Sequence, residues 1–183
     1  MQEKKDIRIR MLKRRAQLNP YKKKIYDDVI CKQLWETLSK INAKVVHAYI
    51  PLGSEINISP LIQKLLDNKI TVVVPKTLKQ RKLQNLILNS LDELETGIAG
   101  TQHPANSIEY NGNYDLIVVP GLAFDKNRYR VGYGGGYYDG FLVNQPNALK
   151  IGIFYPFQEM EHVPTEPHDQ QFSDIYCFSA DLF

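Results

Sequence analysis

The sequence predicts an α/β domain with a largely parallel sheet, and three observations carry that prediction. Short continuous apolar runs of buried-strand type recur along the chain, clearest at 45–50, 116–119 and 149–154. Segments with helical apolar spacing lie between the earlier runs. Proline stands at or just after the four strand ends Ile50, Val74, Val119 and Phe154, where it turns the chain out into a loop. Strands that alternate with helices build a parallel sheet with helices on both faces, a three-layer, Rossmann-like arrangement. The length of 183 residues suits one domain, 1–183, large enough to bury a real core.

Residues 3–18 read as a helix with Ile7, Met11 and Leu18 on one face. Asn19 and Pro20 then supply an N-cap and a first-turn proline for a second helix that runs to about Lys40. Its apolar stripe is Ile25, Val29, Leu34, Leu38 and Ile41. After the strand at 45–50, Ser59 and Pro60 cap a short helix holding Leu61, Ile62, Leu65 and Leu66. Strands are expected at 70–74, ending at Pro75, and at 83–88. Ser90 and Glu93 have the spacing of a capping box for a brief helical turn, and 97–112 reads as loop. Further strands follow at 116–119, 149–154 and 175–178. In open parallel sheets ligands bind beyond the carboxyl ends of the strands, so the four proline-marked ends are candidate walls of a single site.

Composition narrows the function classes. At 43% hydrophobic and 23% charged the chain is of ordinary globular type, which argues against wholesale disorder. No apolar run approaches the roughly 18 residues of a membrane span, and the charged N-terminus lacks the apolar core of a secretory signal. Cys31 and Cys177 lie far apart without metal or redox spacing and are expected to be reduced packing residues in a cytoplasmic protein. Ten of the 23 Lys and Arg residues fall between Lys4 and Lys24, against Glu3 and Asp6. Such a basic end suits an anionic partner or is simply a solvated helix face; it lacks the interleaved aromatics of an RNA-binding sheet.

The strongest local signal is the stretch from Val118 to Asp139. It reads as a buried strand, a loop rich in glycine and arginine, then a helix starting near Gly136. Gly132, Gly134, Gly135 and Gly136 clear side chains from backbone N–H groups, and Arg128 and Arg130 add charge and forked donors for the oxygens of a phosphate. Asp139, about one turn into the helix, is placed to hold magnesium beside that phosphate. The competing reading is a glycine turn that binds nothing. Neither the G-x-x-x-x-G-K-[ST] loop nor the dinucleotide fingerprint occurs, since Tyr137 stands where the latter needs its third glycine.

Pro120, Gly121, Phe124, Asp125, Arg130, Gly132, Gly134, Gly136, Tyr137, Tyr138 and Asp139 fall in register with one known signature. The segment resembles that of 5-formyltetrahydrofolate cyclo-ligases (methenyltetrahydrofolate synthetases). It departs at Arg128, usually glycine, at Val131, usually leucine, and at Gly135, where many members carry lysine. Lys4 and Arg8, one helical turn apart, resemble the family's N-terminal ATP-site element. Val163, Pro164 and Asp169 resemble its C-terminal segment.

That resemblance implies an enzyme that uses ATP and magnesium to convert 5-formyltetrahydrofolate to 5,10-methenyltetrahydrofolate, releasing ADP and phosphate. It implies nucleotide contacts from Lys4, Lys5, Arg8, Arg130, Val131, Gly132, Tyr133, Gly134, Gly135, Gly136, Tyr137 and Tyr138. Arg130 would be catalytic, and substrate would meet Ile50, Glu55, Tyr133 and Tyr137. Glu55 follows a strand end, and its carboxylate can accept two parallel bonds from the amino-pyrimidinone edge of a pterin, or it is an ordinary surface charge. Asp139 and Asp169 are the magnesium candidates, although Asp169 also reads as a plain loop residue. His162, His168 and Asp169 offer a transition-metal alternative without a fourth ligand. Lys76, just past a strand, stands near the expected phosphates. The partners expected are small molecules, with no nucleic acid or membrane, and a monomer. Two other classes stay open: an ATP-dependent kinase or ligase on another small anion, and a non-catalytic nucleotide- or RNA-binding module.

Overall fold

The computed structural model describes residues 2–178. Met1 and residues 179–183, the ends of the expected 1–183 domain, lie outside the described residues. Two helices open the chain, α1 (Gln2–Ala16) and α2 (Pro20–Lys40). Asn19 caps α2 as its sequence suggests: the side-chain oxygen accepts from Tyr21 N at 2.9 Å and Lys22 N at 3.2 Å. Strand β1 (Val45–His47) leads through a loop to α3 (Ser59–Asp67). Ser59 is not its cap. Asn57 instead accepts the Ser59 N–H at 3.1 Å, a local bond of the kind short amide side chains favour.

The remaining strands of the central sheet are β2 (Thr71–Thr77), β3 (Leu83–Leu88) and three others met later in the chain. Before those, β4 (Leu94–Thr96) and β5 (Gln102–Pro104) form a separate antiparallel pair outside the central sheet. Next come β6 (Leu116–Pro120) and a two-residue hairpin, β7 (Ala123–Phe124) with β8 (Arg130–Val131). Helix α4 (Tyr137–Leu142), β9 (Leu149–Ile153) and β10 (Asp174–Tyr176) complete the chain. The six-stranded sheet has the order β10-β9-β6-β1-β2-β3, parallel throughout except for the antiparallel edge strand β3.

Period-two alternation decides what each face covers. Val72, Val74, Leu116 and Val118 face α2 and α3, where Ile30, Leu34, Leu38, Leu61, Ile62 and Leu65 are buried. Val73, Ile117 and Val119 face the other way, toward α4 and an aromatic layer of Tyr114, Phe124, Phe141, Phe154 and Phe172. Each fully buried aliphatic side chain here contributes about 1.5–3 kcal/mol relative to exposure. Helix α1 stands apart from the sheet: its Ile7 and Met11 pack on Leu122, Ala123, Val131 and Val163, so it braces the β7–β8 hairpin.

Three local expectations change. Pro75 does not end β2, which continues to Thr77. The β1 neighbour stops at His47, opposite Val73, so the missing N–H of Pro75 costs no bond on that side. No helical turn forms after Ser90, whose hydroxyl accepts from Asp92 N at 3.0 Å and closes a short turn instead. Within the expected loop at 97–112, β5 pairs with β4.

Candidate active site

Strand ends at 48–50, 120 and 153–155 border a narrow cleft of about 10 Å³ lined by Tyr49, Glu55, Ile56, Pro120, Gly121, Ile153, Tyr155 and Gln158. The fourth expected wall, Val74 and Pro75, is absent from that lining, because β2 runs on past the others into its hairpin with β3. Arg15, from the end of α1, completes the cleft. Its side chain is buried, with Nε donating to Ser54 O at 3.1 Å and Nη1 to the Tyr133 hydroxyl at 2.6 Å. One guanidinium thus joins the loop after β1 to the glycine loop.

Glu55 Oε2 accepts the Leu52 N–H at 2.8 Å, which points the carboxylate back over its own turn. Burial pushes the Glu55 carboxyl above its usual range; the nearby Tyr133 hydroxyl, the Leu52 N–H and Arg15 pull against that shift without cancelling it. Tyr133 remains 47% exposed, and an aromatic face of that kind can stack on a flat ligand. Ile50 is half-buried against the α2–α3 core, at the rim of this end of the sheet.

The glycine loop follows β8. Arg130 is buried, its Nη1 bonded to Asp139 Oδ1 at 2.9 Å and its Nε without a partner. Arg8 of α1 reaches the loop from below, Nε to Gly132 O at 2.8 Å. At Gly134 φ is +98°, and a Cβ there would lie 3.1 Å from Arg8 Cζ, so glycine is needed both for the turn and for the approach. Gly135 is enclosed differently. A Cβ at this position would fall 2.4 Å from the ring of Tyr137, which folds back over it and donates to Leu78 O at 3.3 Å. The lysine that many family members carry at this place has no room here while Tyr137 keeps that position.

Other expectations fall out variously. Helix α4 has only six residues and starts from Gly136 at φ +67°, so its dipole adds little to anion binding. Val131 turns its side chain into the α1 packing and offers the loop only its backbone. Tyr138 is half-buried beside His47, with its hydroxyl buried and unpaired. Arg128 holds φ +63° and donates Nη1 to Ser173 O at 2.7 Å, so its charge serves the approach to β10 and not the glycine loop. Lys76 lies 3.7 Å from Glu95, and Lys5 is exposed on the outer face of α1.

Lys4 is buried in the C-terminal segment, with Nζ 2.7 Å from Asp169 Oδ2 and 2.9 Å from Glu166 Oε2. Burial alone would lower its pKa, but the bonds to Asp169 and Glu166 outweigh burial and raise it. For Asp169 burial works upward, and the Lys4 bond overrides it to hold the carboxyl below its ordinary range. Ligand atoms of Glu166, His168 and Asp169 lie within 4.8 Å of one another. An ammonium bonded to both carboxylates speaks against a resident transition metal there. The two magnesium candidates have the hard oxygen donors that ion prefers. Each is engaged by a cation from the expected phosphate set, Asp139 by Arg130 and Asp169 by Lys4. Sequence reading passed over Arg15, whose signal was its place seven residues beyond Arg8, two helical turns along the same face.

Residues 1–177 match the 5-formyltetrahydrofolate cyclo-ligase family. The 5-formyltetrahydrofolate cyclo-ligase of Mycoplasma genitalium is 32% identical over 183 residues, covering 97% of this chain and 99% of its own. That of Haemophilus influenzae is 28% identical over 181 residues, covering 95% and 97%. Among solved structures, the Aquifex aeolicus 5,10-methenyltetrahydrofolate synthetase superposes with a TM-score of 0.82 at 27% identity, over 95% of this chain and 89% of that one. The Mycoplasma pneumoniae 5,10-methenyltetrahydrofolate synthetase gives 0.77 at 26% identity, over 94% and 96%.

Proposed function

The chain belongs to the 5-formyltetrahydrofolate cyclo-ligase family, and from that premise we propose how its residues carry out the reaction. The enzyme converts 5-formyltetrahydrofolate to 5,10-methenyltetrahydrofolate with ATP, releasing ADP and phosphate. The formyl group on N5 is amide-like: a poor electrophile whose oxygen leaves badly. When the formyl oxygen attacks the γ-phosphorus, ADP departs and the N5 lone pair completes an iminium phosphate. The N10 nitrogen then adds to the activated carbon and loses its proton. Expulsion of phosphate leaves the methenyl bridge. No protein nucleophile is needed, so catalysis rests on positioning and charge.

In our reading Glu55 takes the amino-pyrimidinone edge of the pterin while Tyr133 and Ile50 border the ring. The backbone amides from Gly132 to Gly136 receive the phosphates, with Tyr137 and the backbone of Val131 and Tyr138 completing the loop. Arg130 follows the transferred phosphoryl group, and Lys4 and Arg8, with Lys5 at the rim, steady the nucleotide. For Arg130 and Lys4 this requires the present ion pairs to open, since both are closed on Asp139 and Asp169. Those carboxylates would then hold magnesium, which supplies charge neutralisation on the polyphosphate. The enzyme acts on these small molecules as a single-domain monomer in the cytoplasm.

One observation carries this reading. The cleft of Glu55 and the glycine loop meet at Tyr133, whose hydroxyl Arg15 holds at 2.6 Å. A ligand in the cleft and a phosphate on the loop are therefore neighbours. Mixing the protein with 5-formyltetrahydrofolate, ATP and magnesium should produce the near-ultraviolet absorbance of the methenyl product, and omission of any one should abolish it. Folded protein that forms no product under these conditions would overturn the assignment.

A further inference from the structure

The glycine loop carries no lysine of its own, and most of the cations expected to serve it are engaged with the protein, Lys5 being exposed on α1. Arg130 is tied to Asp139, Lys4 to Asp169 and Glu166, and Arg8 to the Gly132 carbonyl. A nucleotide triphosphate brings about four negative charges at neutral pH, so Arg8, which keeps its charge against a neutral carbonyl, would leave most of that charge unmet by itself. Another cation does approach it. The β2–β3 hairpin turns through Lys79, Gln80 and Arg81, closed by Leu78 N donating to Lys82 O at 2.9 Å.

The Tyr137 hydroxyl donates to the Leu78 carbonyl, which holds this hairpin tip against the loop. Arg81 then lies over Gly136. A Cβ built on that glycine would be 3.8 Å from Arg81 Cδ and 3.9 Å from its Nη1. Arg81 is exposed, and among the described residues it has no carboxylate within 4.0 Å. It is thus a free guanidinium held at the edge of the phosphate-binding backbone.

We propose that Arg81 is a nucleotide-phosphate ligand, delivered from the β2–β3 hairpin and supplying the charge that Gly135 and its neighbours lack. The same Tyr137 that fills the space above Gly135 anchors the hairpin bringing Arg81, so one aromatic ring both excludes a loop lysine and positions its substitute. A guanidinium adds forked donors to the charge and can bridge two phosphate oxygens. This inference rests on the reading that the glycine loop binds nucleotide phosphates. It goes beyond that reading in assigning a residue outside the signature.

The test compares Arg81→Asn, Arg81→Lys, Lys79→Asn and Lys82→Asn on the full chain. Asparagine suits position 81 because φ there is +59°, which that side chain tolerates, so loss of charge is separated from loss of the turn. Titration with ADP and magnesium, followed by calorimetry, should show Arg81→Asn weakening binding about tenfold or more. The ATP KM should rise with it while the folate KM stays within about twofold, and Arg81→Lys should recover part of the loss. The two lysine variants, which remove equal charge from the same tip, should weaken ADP by less than about threefold. Unchanged ADP binding in Arg81→Asn would overturn the proposal, as would equal losses in all three asparagine variants, which would mean a diffuse field and no ligand. If the wild type binds ADP but makes no methenyl product, the folate assignment fails and the ADP titrations still judge Arg81.

Discussion

Around Glu55 the protein closes through packing and hydrogen bonds to the backbone, whereas around the glycine loop it closes through ion pairs. In the cleft, Gln158 Nε2 donates to Gly121 O and Leu122 O at 3.1 and 2.8 Å, and Tyr155 donates to buried Asp27 at 2.9 Å. The aromatic and aliphatic side chains between them are fully buried. The space they leave measures about 10 Å³, so side chains at the mouth must part to admit a pterin. At the loop, Arg130–Asp139 and Lys4–Asp169 neutralise one another across contacts of 2.9 and 2.7 Å. A polyphosphate with its metal can take over both sides of such pairs at little net cost, because each charge exchanges one partner for another. The contrast separates a region built for shape from a region built for charge.

The sharpest break in that contrast is Arg130→Ala. It should lower turnover by about a thousandfold, the scale on which electrostatic groups at a transferring centre act. Folate affinity should hardly change, since the cleft does not depend on that side chain. Circular dichroism shows whether the variant folds, and Arg130→Lys is the companion if the alanine form is too unstable. Near-normal turnover would remove Arg130 from the chemistry.

A second prediction concerns the core between the two regions. His47 is fully buried among Tyr114, Tyr138 and Phe141, with Nε2 3.0 Å from Asn85 Oδ1. Burial lowers its pKa to about 4, a shift that the Asn85 bond offsets only in part. The folded state therefore refuses a proton that the unfolded chain accepts near pH 6.5. Stability should fall as pH drops from about 6.5 towards 4, by about 3 kcal/mol in all. Urea unfolding at pH 7 and pH 4.5 measures it, and His47→Gln should flatten the slope. Equal slopes for both proteins would contradict the assignment.

Glu55→Gln sharpens the comparison from the shape side. The folate KM should rise about tenfold, the ATP KM should stay within about twofold, and turnover should suffer less than in Arg130→Ala. Because burial holds the Glu55 carboxyl above its ordinary range, acidification of the wild type should weaken folate binding from above pH 4.5. The groups facing that carboxylate are Arg15, Tyr49, Tyr133, Tyr138 and Tyr155. Folate titrations across pH 4–7 check both parts, and a Glu55→Gln protein with the same acid limb would assign the limb to another group.

The smallest effect belongs to Arg128. Its φ of +63° costs about 1 kcal/mol, and its bond to Ser173 O returns about as much. Arg128→Gly should therefore move the melting temperature by no more than a few degrees and leave turnover unchanged. A large loss of activity would place Arg128 in the phosphate site after all.

Much of this was legible in the sequence because the signals were local. The apolar runs at 116–119 and 149–154, the Asn19 cap and the glycine spacing each fix a few adjacent backbone units, and the parallel sheet follows from their order. What escaped depends on distance along the chain. Lys4 and Asp169 are 165 residues apart, and nothing in either neighbourhood announces that they pair. Arg81 looks like one charge in a polar turn until Tyr137, far downstream, draws the hairpin to the loop. Arg15 was hidden within a run of ten cations that composition alone cannot rank. Pro75 misled for a different reason: its effect depends on whether the adjacent strand is still present, and β1 has already ended.

In the proposed mechanism, phosphoryl transfer and ring closure are one coupled reaction across the cleft and the loop. Its most direct test is to count phosphate released and methenyl product formed in the same sample, with and without 5-formyltetrahydrofolate. A coupled reaction gives one phosphate per methenyl group and almost none when folate is omitted. Phosphate release at the same rate without folate would show that the loop hydrolyses ATP on its own, and would contradict the coupling on which the proposed mechanism depends.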